Sequence, residues 1–454
     1  MGCLSKLFYI YWRVMINFSK KTVYSWGRIK ASECGIVYPR DGNKFSLQEV
    51  TEQGSVLPFG LGRSYGDSCL NSEGLLIQTT GLNKFLSFDR EVGILSCEAG
   101  GSLDEILKVI VPSGWFLPTT PGTKFITLGG AVANDVHGKN HHVAGSFGNN
   151  VLSLDLMKSS GEVIRCSPDE NTSLFYATIG GLGLTGLIIQ VTIQLKKVAA
   201  SQLEVESIPF QNLEEFFKLS QENDNRFEHT VSWIDCLASG DSMGRGIYMG
   251  GNFSSNGEKE VHKASKLFIP IEAPEVLLSP FNIKAFNTFY YSLQKSMARR
   301  KEMHYEPFFY PLDKINSWNK LYGKRGFYQY QSVIPHENAL DATKEMLNEI
   351  SSAKQGSFLA VLKTFGDIES VGMLSFCRPG VTLALDFPNT GKSLHKLFAK
   401  LDKIVRDAGG SLYPAKDARM TSKDFRISSP RLDEFKAFID PKFTSDFWNR
   451  VQDN

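Results

Sequence analysis

"TPGTKFITLGGAVANDVHGKNHHVAGSFGNNV" occupies residues 120–151 and sets His137, His141 and His142 between two glycine-rich stretches. Three histidines so close together invite a metal reading. A metal site, however, needs converging ligands with hydrogen-bonded support. No set of Glu, Asp or Cys partners accompanies these histidines, and no metal is expected. Two further glycine-rich segments lie nearby, "PFGLGRSYGD" (58–67) and "IGGLGLTGLI" (179–188). Glycine lets backbone N–H groups come close to an anion, and successive N–H groups form a concave anion site. One such loop is most often a turn. Three between residues 58 and 188 point to an extended diphosphate ligand touched along its length.

Two nucleotide fingerprints fail on inspection. "GLGRSYG" spaces its glycines G-x-G-x-x-x-G and runs on into strand-like "GLLIQTT", where a dinucleotide fold needs a helix. "NTGKS" (389–393) ends like a phosphate-binding loop, but Asp386 stands where the first glycine belongs.

The chain has 454 residues, 42% apolar and 22% charged, enough for more than one domain with a large core. Fifty basic and 48 acidic side chains leave a net charge of +2, which gives nucleic acid no electrostatic footing. Seven dispersed cysteines, with no C-x-x-C pair, fit free thiols in a reducing compartment. No stretch approaches the ~20 apolar residues needed to span a bilayer. Near the start, Leu4, Phe8, Tyr11, Met15 and Phe18 recur at helical spacing, the pattern of a docked or membrane-surface helix.

Short apolar runs punctuated by glycine fill residues 50–197 and read as strands, with "SSGE" (159–162) a hairpin turn. Ser102 and Glu105 form a capping-box pattern at the head of a helix. Beyond 197, "VSWIDCL", "RGFYQYQSVIP" and "GVTLALDFP" predict longer strands, and Leu394 to Val405 an amphipathic helix. The aromatic and basic stretch 264–303 predicts a mobile lid. Strands and helices do not alternate regularly, so the class is α+β.

The opening run, with "GLGRSYGDSCLN" and "GGLGLTG", resembles the flavin-binding segments of the vanillyl-alcohol-oxidase/PCMH flavoproteins. Within that superfamily it is most similar to the decaprenylphosphoryl-β-D-ribose 2′-oxidase group. The likeness continues through "YQYQSVIP" (328–335), "LKTFG" (362–366), "LALDFP" (383–388) and "LYPAKDARM" (412–420), covering nearly the whole chain in the family's order.

The resemblance implies a two-domain PCMH-type FAD-binding fold with an inserted antiparallel-sheet substrate domain. Residues 1–197 would form the FAD domain, 198–410 the substrate domain with the lid 264–303, and 411–454 the return to the FAD domain. FAD contacts are implied for Gly60, Gly62, Arg63, Ser64, Tyr65 and Gly66 in the first loop. In the opening run they fall on Gly122, Thr123, Thr127, Gly129, Gly130, Ala133, Asn134, His137, Gly138, Ser146 and Gly148, and later on Gly181, Gly186 and Tyr413. Lys416 and His137 are the implied catalytic residues. Gln329, Gln331, Lys363, Trp233 and Tyr310 are the implied substrate residues. Many relatives carry in the first loop a histidine covalently joined to the flavin; Arg63 stands there, so FAD should be bound non-covalently. Some members have cysteine where this chain has Ala384, so the shape of the pocket wall should differ.

The activity so implied is FAD-dependent oxidation of a secondary hydroxyl of a polyprenyl-phosphate-linked sugar to a keto sugar. That is the first half of an epimerisation in cell-envelope polysaccharide synthesis. A separate NAD(P)H-dependent reductase would finish it, and quinone or oxygen would take the electrons. The expected location is cytoplasmic, peripheral at the inner face of the plasma membrane. The rivals are an oxidase of soluble alditols or aldonolactones and a non-catalytic sugar-lipid-binding protein.

Overall fold

The computed structural model describes residues 18–39, 45–262, 267–269, 272, 274, 278–297 and 299–452. The apolar face expected from Leu4 to Met15 lies outside them, as do parts of the expected lid.

Three main sheets organise the chain. A four-stranded sheet runs in the order Ser19–Tyr24, Ala31–Val37, Leu75–Gln78, Val56–Phe59. A five-stranded sheet follows, ordered Phe85–Asp89, Ile94–Glu98, Leu187–Gln194, Val151–Met157, Val163–Cys166. The hairpin expected at 159–162 joins the last pair, closed by the Lys158 N–H on the Glu162 carbonyl at 2.8 Å with Gly161 at φ +87°. The helix Leu103–Ile110 opens with the expected capping box of Ser102 and Glu105.

The eight-stranded sheet runs Arg300–His304, Gln202–Phe210, Gly246–Phe253, His229–Ile234, Ala360–Phe365, Gly380–Pro388, Phe327–Ile334, Ser411–Leu412. Each of its pairings is antiparallel. The α+β fold with an antiparallel sheet in the second half is therefore as expected, although the sheet reaches past residue 410 to take in Ser411–Leu412. Beyond it the chain returns to the first sheet: Val56 N–H donates to the Lys442 carbonyl, and Asp446 N–H to that of Leu70.

Strand alternation decides where the chemistry can sit, because successive side chains point to opposite faces. In Gly380–Pro388, Val381, Leu383, Leu385 and Phe387 are buried in one apolar core. That core is filled by the helices Leu213–Asn223, His336–Ser352 and Lys392–Asp407. Thr382, Ala384 and Asp386 therefore face the other way. Cross-strand register extends this second face in rows: Gln331 opposite Ala384, Ala384 opposite Val361, Val361 opposite Trp233; Gln329 opposite Asp386; Lys363 opposite Thr382. Gln331, Lys363, Thr382 and Asp386 on this face are buried, so other parts of the protein cover them.

The described part of the expected lid is more fixed than the sequence suggested. Pro280–Ser296 is a helix capped by Ser279, with Ile283, Asn287 and Tyr291 buried. Asn287 donates to Asp235 and to the Ser357 carbonyl, and Arg300–His304 forms the edge strand of the large sheet. The outer side of that helix stays open, with Phe281 80% and Phe289 65% exposed.

One ionic clasp links the two halves of the chain. The buried Lys124 ammonium lies 2.8 Å from Asp104 and 2.7 Å from Glu306, while its N–H donates to Asp313. Removing one partner of such a cluster leaves uncompensated buried charge. Lys124→Met should therefore cost about 3–5 kcal/mol of stability, read as a lowered urea midpoint at unchanged slope. A loss below ~1 kcal/mol would place the cluster with ordinary surface pairs.

Candidate active site

The first glycine loop leaves the strand Val56–Phe59 and folds onto the opening run. A Cβ on Gly60 would stand 2.4 Å from Thr127 Oγ1, so only glycine fits that approach. Gly62 sits at φ +60°. Arg63 Nε donates to the Phe125 carbonyl at 3.1 Å, and its guanidinium lies 3.9 Å from the Trp26 ring centre. Among the described residues, the N–H groups of Leu61, Gly62, Arg63 and Ser64 have no protein acceptor, and neither do those of Gly122 and Thr123. A Cβ on Gly122 would meet nothing within 4 Å, so that turn borders open space.

Thr127 caps the helix Leu128–Ala133 by accepting from the Gly130 N–H, and Gly129 packs on Ala99. Asn134 ends the helix; its carbonyl accepts from the Tyr413 hydroxyl at 3.0 Å, while the Tyr413 ring stacks on Phe376. Asp135, at φ +39°, gathers the loop behind: it accepts from Ser146 Oγ at 2.8 Å, Gly148 N–H at 2.7 Å and Ser375 Oγ at 2.5 Å. Four of the expected cofactor residues pack within the protein. Ser146 and Gly148 are buried around Asp135. Gly181 lies against the Ala177 carbonyl and Gly186 against the strand Val151–Met157.

His137 joins this loop to the polar sheet face. Its Nδ1 is 3.0 Å from Lys363 Nζ and its Nε2 is 2.9 Å from the Gln331 side-chain amide. Lys363 also donates to the Gly138 carbonyl. Burial pushes Lys363 down to about 8, so it remains cationic at neutral pH. Nδ1 then accepts, the ring proton sits on Nε2, and the Gln331 amide oxygen belongs opposite it. Burial first, and the neighbouring Lys363 next, hold His137 well below the usual imidazole range. With both nitrogens engaged and the ring neutral, His137 cannot take a substrate proton without breaking the seam. The catalytic role expected of it becomes one of holding Lys363 and Gln331.

Lys416 is different. Its Nζ stands 4.1 Å from the Tyr65 ring centre and has no hydrogen-bond partner among the described residues. Burial depresses its pKa, opposed by the Asp386 carboxyl. Burial raises Asp386, which accepts from Gln329 at 2.5 Å. The turn carrying Lys416 is pressed onto the first loop: Tyr65 N–H donates to the Ala415 carbonyl at 3.0 Å, and Gly66 leaves no room for a Cβ beside the Asp417 carbonyl.

The remaining sequence candidates divide. Trp233 lies on the polar face, its Nε1 donating to the Phe358 carbonyl and its ring against Tyr290 of the helix Pro280–Ser296. Tyr310 does not: it is fully buried, bonded to Thr120 at 2.6 Å within a cluster of Phe116, Tyr305 and Phe309. It ties the opening run to the second half of the chain. His141 is buried on Phe365 and His142 meets the Phe227 carbonyl. Asp386 was the residue that sequence reading missed as a site member. The signal was there, since it follows Ala384 by two residues in "LALDFP" and so shares its face.

An anionic diphosphate fits the free N–H groups of the two loops. The sheet face behind them carries the Gln329 and Gln331 amides, and the turn after Ser411–Leu412 carries the unpartnered Lys416 ammonium. Comparison with known proteins agrees. A family model described as an FAD binding domain matches residues 46–167. The chain is 33% identical over 453 residues to decaprenylphosphoryl-β-D-ribose oxidase of Mycolicibacterium smegmatis, covering 95% of this chain and 97% of that one. It is 29% identical over 368 residues to an uncharacterized protein in the mprA 5′ region of Streptomyces coelicolor, covering 77% and 99%. Mouse L-gulonolactone oxidase matches at 30% over 125 residues, 27% of this chain and 28% of its own length. The cofactor is FAD.

Arg63 offers no nucleophile for a flavin bond, and its guanidinium is occupied by Trp26 and Phe125. Acid precipitation of the holoprotein should therefore release its flavin completely into the supernatant. Yellow colour retained by the washed pellet would contradict non-covalent binding.

Proposed function

This chain belongs to the FAD-binding family that includes decaprenylphosphoryl-β-D-ribose oxidase, and we propose that it oxidises a secondary hydroxyl of a polyprenyl-phosphate-linked sugar to the ketone. The protein is an FAD-dependent oxidoreductase acting on CH–OH groups. The observation that carries the substrate reading is the unpartnered Lys416 ammonium beside Tyr65 and Asp386, with Gln329 and Gln331 on the neighbouring strand. Bound FAD supplies the acceptor for the carbinol hydride. The protein must orient the sugar and manage the hydroxyl proton. Lys416 binds the reacting oxygen and stabilises the charge that develops there. Asp386, raised by burial, is matched to receive the proton. Gln331 and Gln329 hold neighbouring hydroxyls, Lys363 fixes His137 beneath them, and Trp233 walls the far end of the row.

In this reading the cofactor is held by 1–197 together with the C-terminal return, and 198–410 presents the sugar. The keto product feeds a hydride-donating reductase using NAD(P)H, which completes an epimerisation for cell-envelope polysaccharide, and quinone or oxygen reoxidises the enzyme. A prenyl chain does not leave the bilayer, so the enzyme must come to it. Among the described residues no helix is long and apolar enough to cross a membrane. The exposed Phe281 and Phe289, flanked by Lys284, Lys295, Arg299 and Arg300, suit the headgroup boundary, where apolar burial and attraction to anionic lipid add. The contact would be peripheral, at the inner face of the plasma membrane.

Two measurements test this reading. Lys416→Ala should keep its FAD but lose ~10²-fold or more in turnover, the range for a lost proton-handling or orienting group. Near-normal reduction of the flavin by substrate would remove Lys416 from the chemistry. In flotation, vesicles containing anionic lipid should carry the protein upward at low salt and release much of it at high salt. Protein remaining at the bottom in both conditions would favour a soluble alditol or aldonolactone as substrate.

A further inference from the structure

Arg450, on the helix Asp446–Val451, reaches the Lys416 turn. Arg450 Nη2 lies 2.7 Å from Asp67 Oδ1 and 3.2 Å from Asp417 Oδ2, and its Nε lies 3.1 Å from Asp67 Oδ2. Its remaining nitrogen donates to the Met420 carbonyl. Asp67 follows the first glycine loop, and Asp417 follows Lys416. We propose that Arg450 is a positioning residue for the oxidation, clamping the Lys416 turn to the loop that carries the free N–H groups.

The clamp adds a charged contact to the few that join the two segments directly. The backbone meets at Tyr65 N–H to the Ala415 carbonyl and at the Gly66–Asp417 approach. Lys416 itself adds a contact on the Tyr65 ring. Arg450 closes the third side, and a planar guanidinium does this with fixed geometry. Asp417 is also committed to its own turn, accepting from the N–H groups of Arg419 at 2.8 Å and Met420 at 2.6 Å, so holding it holds the whole turn. Arg450 neutralises this carboxylate as well. Without it, the Asp417 carboxylate would stand unbalanced one residue along the chain from Lys416, whose ammonium otherwise faces Asp386, the Tyr65 ring and the neutral His137. An added negative neighbour favours the ammonium. The same helix provides a control: Asp446 ties it to Ser72 and Lys30, anchoring the helix without touching residue 417.

The inference rests on Lys416 being the group that binds the reacting oxygen. The test is flavin reduction in the holoenzyme by decaprenylphosphoryl-β-D-ribose in detergent micelles, followed across a pH series. Arg450→Gln should retain FAD and reduce roughly tenfold more slowly, the scale of a small misplacement at a reacting centre. Its KM should change less than its kcat, and its alkaline limb should move to higher pH. Arg450→Lys should fall between, and Asp446→Asn should stay within about twofold of the wild type. In a Lys416→Ala background, Arg450→Gln should slow reduction no further. Equal losses in Arg450→Gln and Asp446→Asn would overturn the proposal, as would an unmoved pH profile or a full tenfold loss in the Lys416→Ala background. If Arg450→Gln fails to hold FAD, Asp417→Asn, which opens the other side of the clamp, is read by the same criteria. Normal reduction by Lys416→Ala itself overturns the Lys416 assignment and this proposal together. A slow Lys416→Ala beside a normal Arg450→Gln overturns this proposal alone.

Discussion

A lysine ammonium taken out of water is costly without acceptors, and Lys363 finds them where the two halves of the chain meet. Its donation to the Gly138 carbonyl and to His137 Nδ1 fixes the ring, and the ring fixes Gln331 on the next strand but one. From Gln331 the register runs through Ala384 and Val361 to Trp233, so one buried cation sets the height at which a whole row of the sheet faces the glycine loops. If His137 were free to protonate, that seam would open with falling pH. Burial and the neighbouring cation prevent it by holding the ring neutral.

Glycine makes the opposing side possible. At Gly66 a Cβ would stand 1.5 Å from the Asp417 carbonyl oxygen, and at Gly60 it would meet Thr127. Both approaches are contacts between chain segments, distinct from the turn at Gly122, which borders open space. The glycine-rich stretches therefore serve two ends. Some positions let the backbone bend or leave its N–H groups facing a ligand, and others let the Lys416 turn and the opening run close around the site.

The charge balance of the interior follows from the same packing. Lys139, pushed down to about 7 by burial, lies near Lys363, and Lys416 lies beyond, while Asp386 is the carboxyl that faces Lys416. A pocket so arranged is unfavourable for cations and favours groups that develop negative charge. That is the electrostatic demand of an oxidation in which the carbinol carbon gives up a hydride while its oxygen takes on alkoxide character.

Local patterns in the sequence carried much of this architecture. The capping box at Ser102, the hairpin at 159–162, the strands "GVTLALDFP" and "RGFYQYQSVIP" and the helix ending near Val405 are written in spacings of two or of three to four residues, which need only neighbours along the chain. Alternation also puts Gln329 and Gln331 on one face of their strand. What no local pattern holds is which distant groups meet. His137 and Lys363 are 226 residues apart, and Asp67 and Arg450 are 383 apart. Their pairing is decided by how the sheet stacks on the loops, where burial forces each polar group to find a partner. The same reason moved Tyr310 away from the pocket and into the core, gave Ser146 and Gly148 to Asp135, and turned much of the expected lid into a packed helix. Those side chains have the chemistry to touch a ligand, and only tertiary packing settled that they are used to hold the protein together.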